Sequence, residues 1–206
     1  MINIVIPMAG AGSRFAKAGY KNPKPFIDVL GKPMICHVLD NLNIPDAKFI
    51  LLTRFEHYNN EQETVKWIKS NYKVEFVMID KLTEGAACTV LHAHRLINND
   101  TPLLIANSDQ IVDMDISEYI NDSKKRGLDG SVLCFEDNDK KWSYAKLDKN
   151  RFITEIREKE VISKNATVGI YYFNKGRDFV ENAIDMIVRN ERVNNEFYVA
   201  PVYNYA

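Results

Sequence analysis

The stretch Ile4-Val5-Ile6-Pro7-Met8-Ala9-Gly10-Ala11-Gly12-Ser13-Arg14-Phe15, near the start of the chain, decides the fold. Its first three residues are a β-branched run, which is typical of a buried strand. The two glycines that follow, Gly10 and Gly12, reach backbone angles that other residues resist and leave room for a ligand against the main chain. The N–H groups of such a loop form an anion cradle, and a helix starting near Ser13 would add its positive end. The stretch therefore predicts a strand that opens into a phosphate-binding loop.

Two cations follow the glycines and supply the charge that a triphosphate needs. Arg14 closes the loop, and Lys24 comes ten residues later between Pro23 and Pro25, which fix the backbone on both sides of it. The loop lacks the third glycine of a dinucleotide fingerprint and the Gly-Lys-Ser/Thr ending of a P-loop, which argues against both kinds of site. A bare Gly-x-Gly is equally typical of a plain strand-to-helix turn.

The composition limits the class of protein. The 206 residues carry a formal net charge of −1 and are 46% apolar, so we expect one domain, residues 1–206, and no nucleic-acid partner. No apolar run approaches the roughly 20 residues that span a bilayer, so no membrane partner is expected. The scattered cysteines Cys36, Cys88 and Cys134 predict reduced thiols in a cytoplasmic protein. The string Glu196–Asn204 reads like the start of another functional stretch, and we expect a chain truncated at its C-terminus.

Apolar runs alternate with amphipathic stretches along the chain. The order through residue 126 predicts a mostly parallel α/β sheet, Rossmann-like and flanked by helices, and the part from 131 predicts additional mixed strands. We expect the third helix to start at Thr83 or Glu84 and the fourth at Asp115. The predicted strands are 2–6, 48–53, 74–79, 102–106, 131–136, 143–147 and 167–173, and the predicted helices are 33–42, 58–70, 85–97, 115–126 and 175–189.

Ligands of open α/β sheets bind at the carboxyl ends of the strands. The loops 7–14, 83–87 and 107–109 all follow predicted strands, so we expect them to meet in one crevice. Asp109 ends a buried apolar strand, and Mg²⁺ usually takes one or two carboxylates together with phosphate oxygens. The nearby Asp113-Met114-Asp115 spells the Asp-x-Asp of metal-dependent glycosyltransferases, but Asp115 is better interpreted as a helix N-cap.

Three pieces in order, Gly10–Arg14, Pro23–Phe26 and Gly31–Ile35, resemble the signature of the sugar-phosphate nucleotidyltransferases, or pyrophosphorylases. The resemblance implies a GT-A-like fold and a Mg²⁺-dependent transfer of a nucleotide from an NTP to a phosphorylated acceptor. It implies that Arg14 and Lys24 are catalytic and that Asp109 holds the metal. It also implies nucleotide contacts at Met8, Ala9, Gly10, Ala11, Gly12, Ser13, Arg14, Glu84, Gly85, Ala87 and Ser108.

The second half of the chain resembles the acceptor half of the same family. The resemblance makes residues 1–130 the nucleotide-binding half and 131–206 the acceptor-binding half, with acceptor contacts at Tyr144, Glu158, Lys159 and Gly169. Two positions depart from the family pattern: Ser108 stands where glycine is usual, and Glu160 where proline is usual. A second metal-holding residue, expected near the end of the domain, has no clear match. Without the resemblance, the charged run 155–160 would be interpreted as a solvated edge.

The opening Ile6–Gly10 and the string Glu196–Asn204 resemble the bacterial capsule and surface-polysaccharide branch, which includes cytidylyltransferases. The resemblance favours CTP, with a sugar 1-phosphate or a small non-sugar phosphate such as phosphocholine or phosphoglutamine as acceptor. Two alternatives remain. A glycosyltransferase of related fold would use Asp113 and Asp115, and a nucleotide-binding protein would not be catalytic. The sequence leaves the base and the oligomeric state open, with a homodimer as one alternative.

Overall fold

The β-branched runs become strands of one eight-stranded sheet in the computed structural model, which describes residues 1–206. A separate two-stranded hairpin and two 3-10 helices, Lys24–Phe26 and Ala200–Tyr205, complete the fold. The elements in chain order are β1 (Ile2–Pro7), α1 (Ser13–Lys17), β2 (Asp28–Val29), β3 (Lys32–Pro33), α2 (Met34–Asn41), β4 (Ala47–Arg54), α3 (Phe55–Asn60), α4 (Gln62–Asn71), β5 (Val74–Ile79), α5 (Ala86–Leu91), α6 (His94–Ile97), β6 (Leu103–Ala106), α7 (Ile116–Lys125), β7 (Gly130–Glu136), β8 (Ser143–Leu147), β9 (Ile153–Glu158), β10 (Asn165–Phe173) and α8 (Gly176–Val188).

The sheet has a parallel half and an antiparallel half. Strands β5, β4, β1 and β6 are parallel neighbours in that order, so their carboxyl ends share one edge. Strand β10 then pairs antiparallel to β6, and β7, β8 and β9 continue the antiparallel pairing. The predicted fold class, a mostly parallel α/β sheet with mixed strands added by the second half, is confirmed.

Side chains alternate between the two faces of the sheet, and each face is covered. On β1, Val5 belongs to a cluster of 23 buried residues that α5, α6, α8 and the C-terminal segment cover. Ile4 and Ile6 belong to a cluster of 19 on the opposite face, under α2 and α7. A strand buried on both faces explains why the run 4–6 is apolar without interruption. No helix combines the length and apolarity that crossing a bilayer requires.

The structure corrects several predicted elements. The predicted helix 58–70 is two helices, α3 and α4, because Glu61 has the non-helical angles φ −110° and ψ 36°. The predicted helix 85–97 is likewise divided into α5 and α6. Strand β9 was missed, because its mixed charges indicated a solvated edge and only its inward residues, such as Ile156, are apolar and buried. Amphipathic periodicity continues across a helix break, so it does not reveal one.

Candidate active site

The glycine-bearing loop leaves β1 at its carboxyl end, as predicted. Met8 and Ala9 are each 2% exposed, and the Met8 N–H donates to the Leu52 carbonyl at 2.9 Å, so the first part of the loop is anchored in the sheet. Gly12 adopts the left-handed conformation at φ 58° and forms the N-cap of α1. That helix has only five residues, so its dipole adds little, and the positive charge comes from the exposed Arg14.

Lys24 and Asp109 connect this loop to the end of β6. The Lys24 ammonium forms an ion pair with the Asp109 carboxylate across 85 positions of sequence, and both side chains stay accessible at 28% and 34%. The backbone of Lys24 begins a 3-10 helix, and its ammonium lies 5.6 Å from the centroid of the Phe15 ring. The predicted cation and the predicted metal ligand therefore lie together at the carboxyl edge of the parallel strands.

Gly169 lies against the end of β6. Its carbonyl accepts a hydrogen bond from the Asn107 N–H at 3.0 Å, and its φ of 82° lies in the left-handed region. A Cβ at this position would collide with the side chains of Asn107 and Gln110, which are hydrogen-bonded to each other at 2.8 Å. Ser108 is 8% exposed in the same turn. Gly169 is thus required by a close approach beside Asp109, and the second half of the chain meets the first half there.

The segment predicted to contact the base packs on the chain near Phe197. The Phe197 N–H donates to the Glu84 carbonyl at 2.7 Å, and the Ala87 N–H donates to the Phe197 carbonyl at 3.0 Å. Gly85, at φ 122°, leaves no room for a Cβ because the Phe197 backbone lies against it. The Glu84 carboxylate is paired with Arg192 at 3.1 Å. The predicted helix start at Thr83 or Glu84 is wrong: Gly85 is the N-cap and α5 begins at Ala86.

Glu158 is the last residue of β9, and Lys159 follows it. Glu158 is buried, burial raises the pKa of its carboxyl group, and the Ser143 hydroxyl donates a hydrogen bond that acts against this rise. Lys159 adopts φ 59°, and its N–H donates to the Trp142 carbonyl at 3.0 Å. Its ammonium donates to the Tyr198 hydroxyl at 2.6 Å.

Tyr144 is the predicted site residue whose placement disagrees with its predicted role. The side chain is 0% exposed, and its hydroxyl donates to the Asp139 carbonyl at 2.9 Å. The phenol therefore supports the turn before β8 and has no surface from which to contact an acceptor.

The Asp-x-Asp triplet does not form a cluster. Asp115 caps α7 by accepting a hydrogen bond from the Ser117 N–H at 2.7 Å, which confirms its predicted role as an N-cap. Asp113 is exposed. No group of three or more His, Cys, Asp and Glu side chains is arranged to hold a metal ion. A single accessible carboxylate such as Asp109 suits Mg²⁺ when phosphate oxygens and water complete the shell.

Four polar residues near these positions were not predicted as site residues. Asn107 and Gln110 flank Asp109, Arg192 pairs with Glu84, and Tyr198 holds the ammonium of Lys159. Two of the four carried a signal, because Asn107 lies in the predicted loop 107–109 and Tyr198 belongs to the string Glu196–Asn204 that reads like a functional stretch.

Two grooves lie outside the crevice of the nucleotide loops. A groove of about 1220 Å³ runs along β7 and contains none of the predicted site residues. A second, of about 630 Å³, follows the outer edge of β9 and reaches Glu158 and Tyr198 at one end.

The sequence was compared with families of known proteins. The sequence profile of the family described as "Nucleotidyl transferase" matches residues 4–198. The chain belongs to the nucleotidyl transferase family. Membership covers both halves of the chain, including the segment from Glu84 to Ala87 and the pair Glu158 and Lys159.

Members of this nucleotidyl transferase family are among the curated relatives. The bifunctional protein GlmU of Methanococcus vannielii is 28% identical over 199 residues, which are 93% of this chain and 44% of the relative. The mannose-1-phosphate guanyltransferase of Yarrowia lipolytica is 27% identical over 182 residues, 82% of this chain and 48% of the relative. The chain spans less than half the length of these relatives.

Solved structures show the same fold. The nucleoside-diphosphate-sugar pyrophosphorylase of Vibrio cholerae RC9 superimposes with a TM-score of 0.79 at 26% identity, over 98% of this chain and 86% of that protein. A UDP-glucose pyrophosphorylase complexed with UDP-glucose gives a TM-score of 0.79 at 18% identity, over 99% of this chain and 86% of that protein. This second likeness concerns the fold alone.

Proposed function

We propose that the chain is a nucleotidyltransferase that joins an NMP to a phosphorylated small molecule. An oxygen of the acceptor phosphate attacks the α-phosphorus of the NTP and forms a new P–O bond. The bond from the α-phosphorus to the bridging oxygen breaks, and pyrophosphate leaves with that electron pair. The observation that carries the proposal is the pairing of Lys24 with Asp109 at the carboxyl edge of the sheet, in a chain of this family.

The chain's own residues would act by positioning and by charge, as phosphoryl transfer requires. The loop Met8–Ser13 and Ser108 would bind the nucleotide, with Arg14 on its β- and γ-phosphates. Lys24 would stabilise the charge that develops on the transferring group. In the proposed assignment Glu84 and Gly85 face the base, and Glu158, Lys159 and Gly169 face the acceptor. Ala87, predicted to contact the base, is fully buried and donates its N–H to the Phe197 carbonyl, so it supports this segment without touching the nucleotide.

Asp109 would hold Mg²⁺, which would neutralise part of the phosphate charge. In the absence of substrate the Lys24 ammonium is paired with the Asp109 carboxylate. When a triphosphate binds, the same ammonium could bind its oxygens instead. Residues 1–130 would act as the nucleotide half and 131–206 as the acceptor half of one domain. No nucleic acid or membrane is part of the proposal.

The finer part of the proposal concerns the substrates. We propose a pyrimidine triphosphate, CTP, and an acceptor that is a sugar 1-phosphate or a small phosphate such as phosphocholine or phosphoglutamine. The product would be an activated precursor for capsule or surface polysaccharide. The support is the resemblance at Ile6–Gly10 and Glu196–Asn204, while the relatives named above point to other sugar nucleotides.

The test combines nucleotide binding with turnover. We would measure binding of ATP, GTP, CTP, UTP and dTTP by calorimetry with Mg²⁺, and then pyrophosphate release with glucose 1-phosphate and phosphocholine. Selective binding of CTP with release of pyrophosphate supports both parts of the proposal. Binding of another base corrects only the base. Binding without release with any acceptor indicates a nucleotide-binding protein, and binding of a nucleotide-sugar alone indicates a glycosyltransferase.

The variant Lys24→Met tests the proposed chemistry. Loss of one charge-stabilising group at a reacting centre lowers kcat by about 100-fold or more, while loss of an accessible ion pair changes stability little. Lys21→Met, at an exposed lysine three positions earlier, is the matched control and should keep full activity. A Lys24→Met protein with wild-type turnover contradicts the assignment.

A further inference from the structure

We propose that Tyr198 is a positioning residue of the acceptor site, whose phenol oxygen holds the ammonium of Lys159 where the acceptor phosphate enters. This inference rests on the proposed function, because Lys159 is the group assigned to that phosphate. Tyr198 itself needs no contact with the reacting atoms. It would act through Lys159.

The contact between the two side chains is direct. The Lys159 Nζ donates to the Tyr198 hydroxyl at 2.6 Å and lies 4.7 Å from the centroid of the ring. Burial raises the pKa of the Tyr198 phenol, so it is neutral at pH 7 and its oxygen accepts from the cation. The ammonium keeps two further N–H groups for a phosphate.

The backbone of Lys159 aims its side chain. The residue sits in the left-handed conformation at φ 59°, fixed by the hydrogen bond from its N–H to the Trp142 carbonyl at 3.0 Å. A free lysine side chain loses much of its rotamer entropy when it is ordered. The phenol orders the ammonium before the acceptor arrives, so binding the phosphate no longer carries that whole cost.

Tyr198 is fixed by the backbone contacts of its neighbour Phe197 with the segment Glu84–Ala87. Its neighbour Phe197 is 1% exposed and exchanges two backbone hydrogen bonds with Glu84 and Ala87, at 2.7 and 3.0 Å. The segment that orders Lys159 is therefore anchored on the segment proposed to face the base. Tyr198 links the two halves of the site through contacts that are already formed.

A second tyrosine–lysine pair provides a matched control. Lys69 Nζ donates to the Tyr58 hydroxyl at 2.7 Å and lies 5.2 Å from its ring centroid, between α4 and α3 beside the opposite end of the sheet. Tyr58→Phe removes the same kind of hydrogen bond as Tyr198→Phe, away from every residue proposed for the site.

The first experiment measures the reactivity of the Lys159 amine and does not require an active enzyme. Lys159 and Lys24 are labelled with an acylating reagent in the free protein, and their labelling rates are measured by peptide mass spectrometry. We expect Tyr198→Phe to raise the rate at Lys159 several-fold and to leave that at Lys24 unchanged, because only Lys159 loses its partner. Tyr58→Phe should change neither. Equal Lys159 rates in wild type and Tyr198→Phe overturn the inference.

The second experiment is a double-mutant cycle in the pyrophosphate-release assay, with glucose 1-phosphate and phosphocholine as acceptors. A hydrogen bond to a charged group corresponds to about a tenfold effect, so Tyr198→Phe should raise the acceptor KM about tenfold with unchanged NTP binding. In a Lys159→Met background it should add nothing. A further loss there, or weaker NTP binding, overturns the positioning role. If no variant releases pyrophosphate, the proposed function fails, and the labelling rates still decide whether Tyr198 holds Lys159.

Discussion

Glu158 shows how burial changes the chemistry of one residue. Its carboxyl group is buried at the end of β9. Desolvation raises its pKa above the ordinary 4.5, although the hydrogen bond from the Ser143 hydroxyl acts to lower it. As pH rises above 4.5, the unfolded chain loses this proton first, so the folded state becomes relatively less stable. The destabilisation is complete once pH exceeds the raised pKa, and it is absent where both states hold the proton.

We therefore expect Glu158→Gln to remove this pH dependence. The amide still accepts from Ser143 and is never charged, so the free energy of unfolding of the variant relative to wild type should increase with pH above 4.5 and then level off. Urea unfolding from pH 4.5 to 8 measures the difference. Glu160→Gln, at an exposed neighbour, should show no such trend. Parallel pH curves for wild type and Glu158→Gln would show that Glu158 titrates normally.

Sequence reasoning places residues well when the topology dictates their neighbourhood. Asp109 was placed in one crevice with the loop 7–14 because both follow predicted parallel strands, and Lys24 was assigned through the family resemblance; the structure brings the two side chains together. Tyr198 could not be paired with Lys159 in this way, since the segment that carries it is irregular and its path depends on backbone contacts with Glu84 and Ala87. Tyr144 was assigned to the acceptor through the family resemblance alone, and its fully buried side chain shows that position in a family motif does not reveal which side chains stay exposed.

Helix α7 begins at a side-chain cap that the sequence predicts. Asp115 accepts from the Ser117 N–H at 2.7 Å, and Ile116 and Ile120 bury one face of the helix. Loss of an N-cap carboxylate lowers the free energy of unfolding by about 1 kcal/mol. We expect this loss in Asp115→Ala, measured by urea unfolding, with Asp113→Ala unchanged.

The same pair of variants distinguishes a helix cap from an Asp-x-Asp metal site. A cap predicts that both variants keep their activity under conditions where they are folded, because neither carboxylate meets the substrates. A large drop in turnover in both, with stability unchanged, would assign the triplet to catalysis and favour the glycosyltransferase alternative.

Elements were predictable where one pattern dominated. The buried strands β1, β4, β5 and β6 lie within one or two residues of their predicted bounds. Strand β9 was missed because its outer edge is polar. There the Ile156 N–H donates to the Asn204 side-chain oxygen at 2.7 Å, and the Asn204 amide donates to the Ile156 carbonyl at 2.8 Å, so this side chain makes the hydrogen bonds that a neighbouring strand would make. A side chain 48 positions away leaves no periodic trace in the sequence of the strand it completes.

At the scale of the molecule, the two halves share one sheet and one core. Strand β10, from the second half, pairs with β6 of the first, and the buried cluster of 23 residues draws on both. We therefore expect the predicted single domain to unfold as one cooperative unit. The sequence predicted the order of the strands along the chain but not how they pair. The position of β10 beside β6 follows from tertiary pairing, which no local pattern encodes.

Each half carries one tryptophan, so the unity of the domain can be measured directly. Trp67 lies on α4, and Trp142 precedes β8 with its indole N–H donating to Asp137 at 2.9 Å. In Trp142→Phe the fluorescence reports the first half of the chain, and in Trp67→Phe it reports the second half. We expect each variant's fluorescence transition in urea to occur at the same urea concentration as its own loss of helical circular dichroism. Neither half can unfold alone without breaking the β6–β10 pairing and exposing the shared buried cluster to water. A fluorescence transition that precedes the loss of helix in either variant would show that the halves unfold independently.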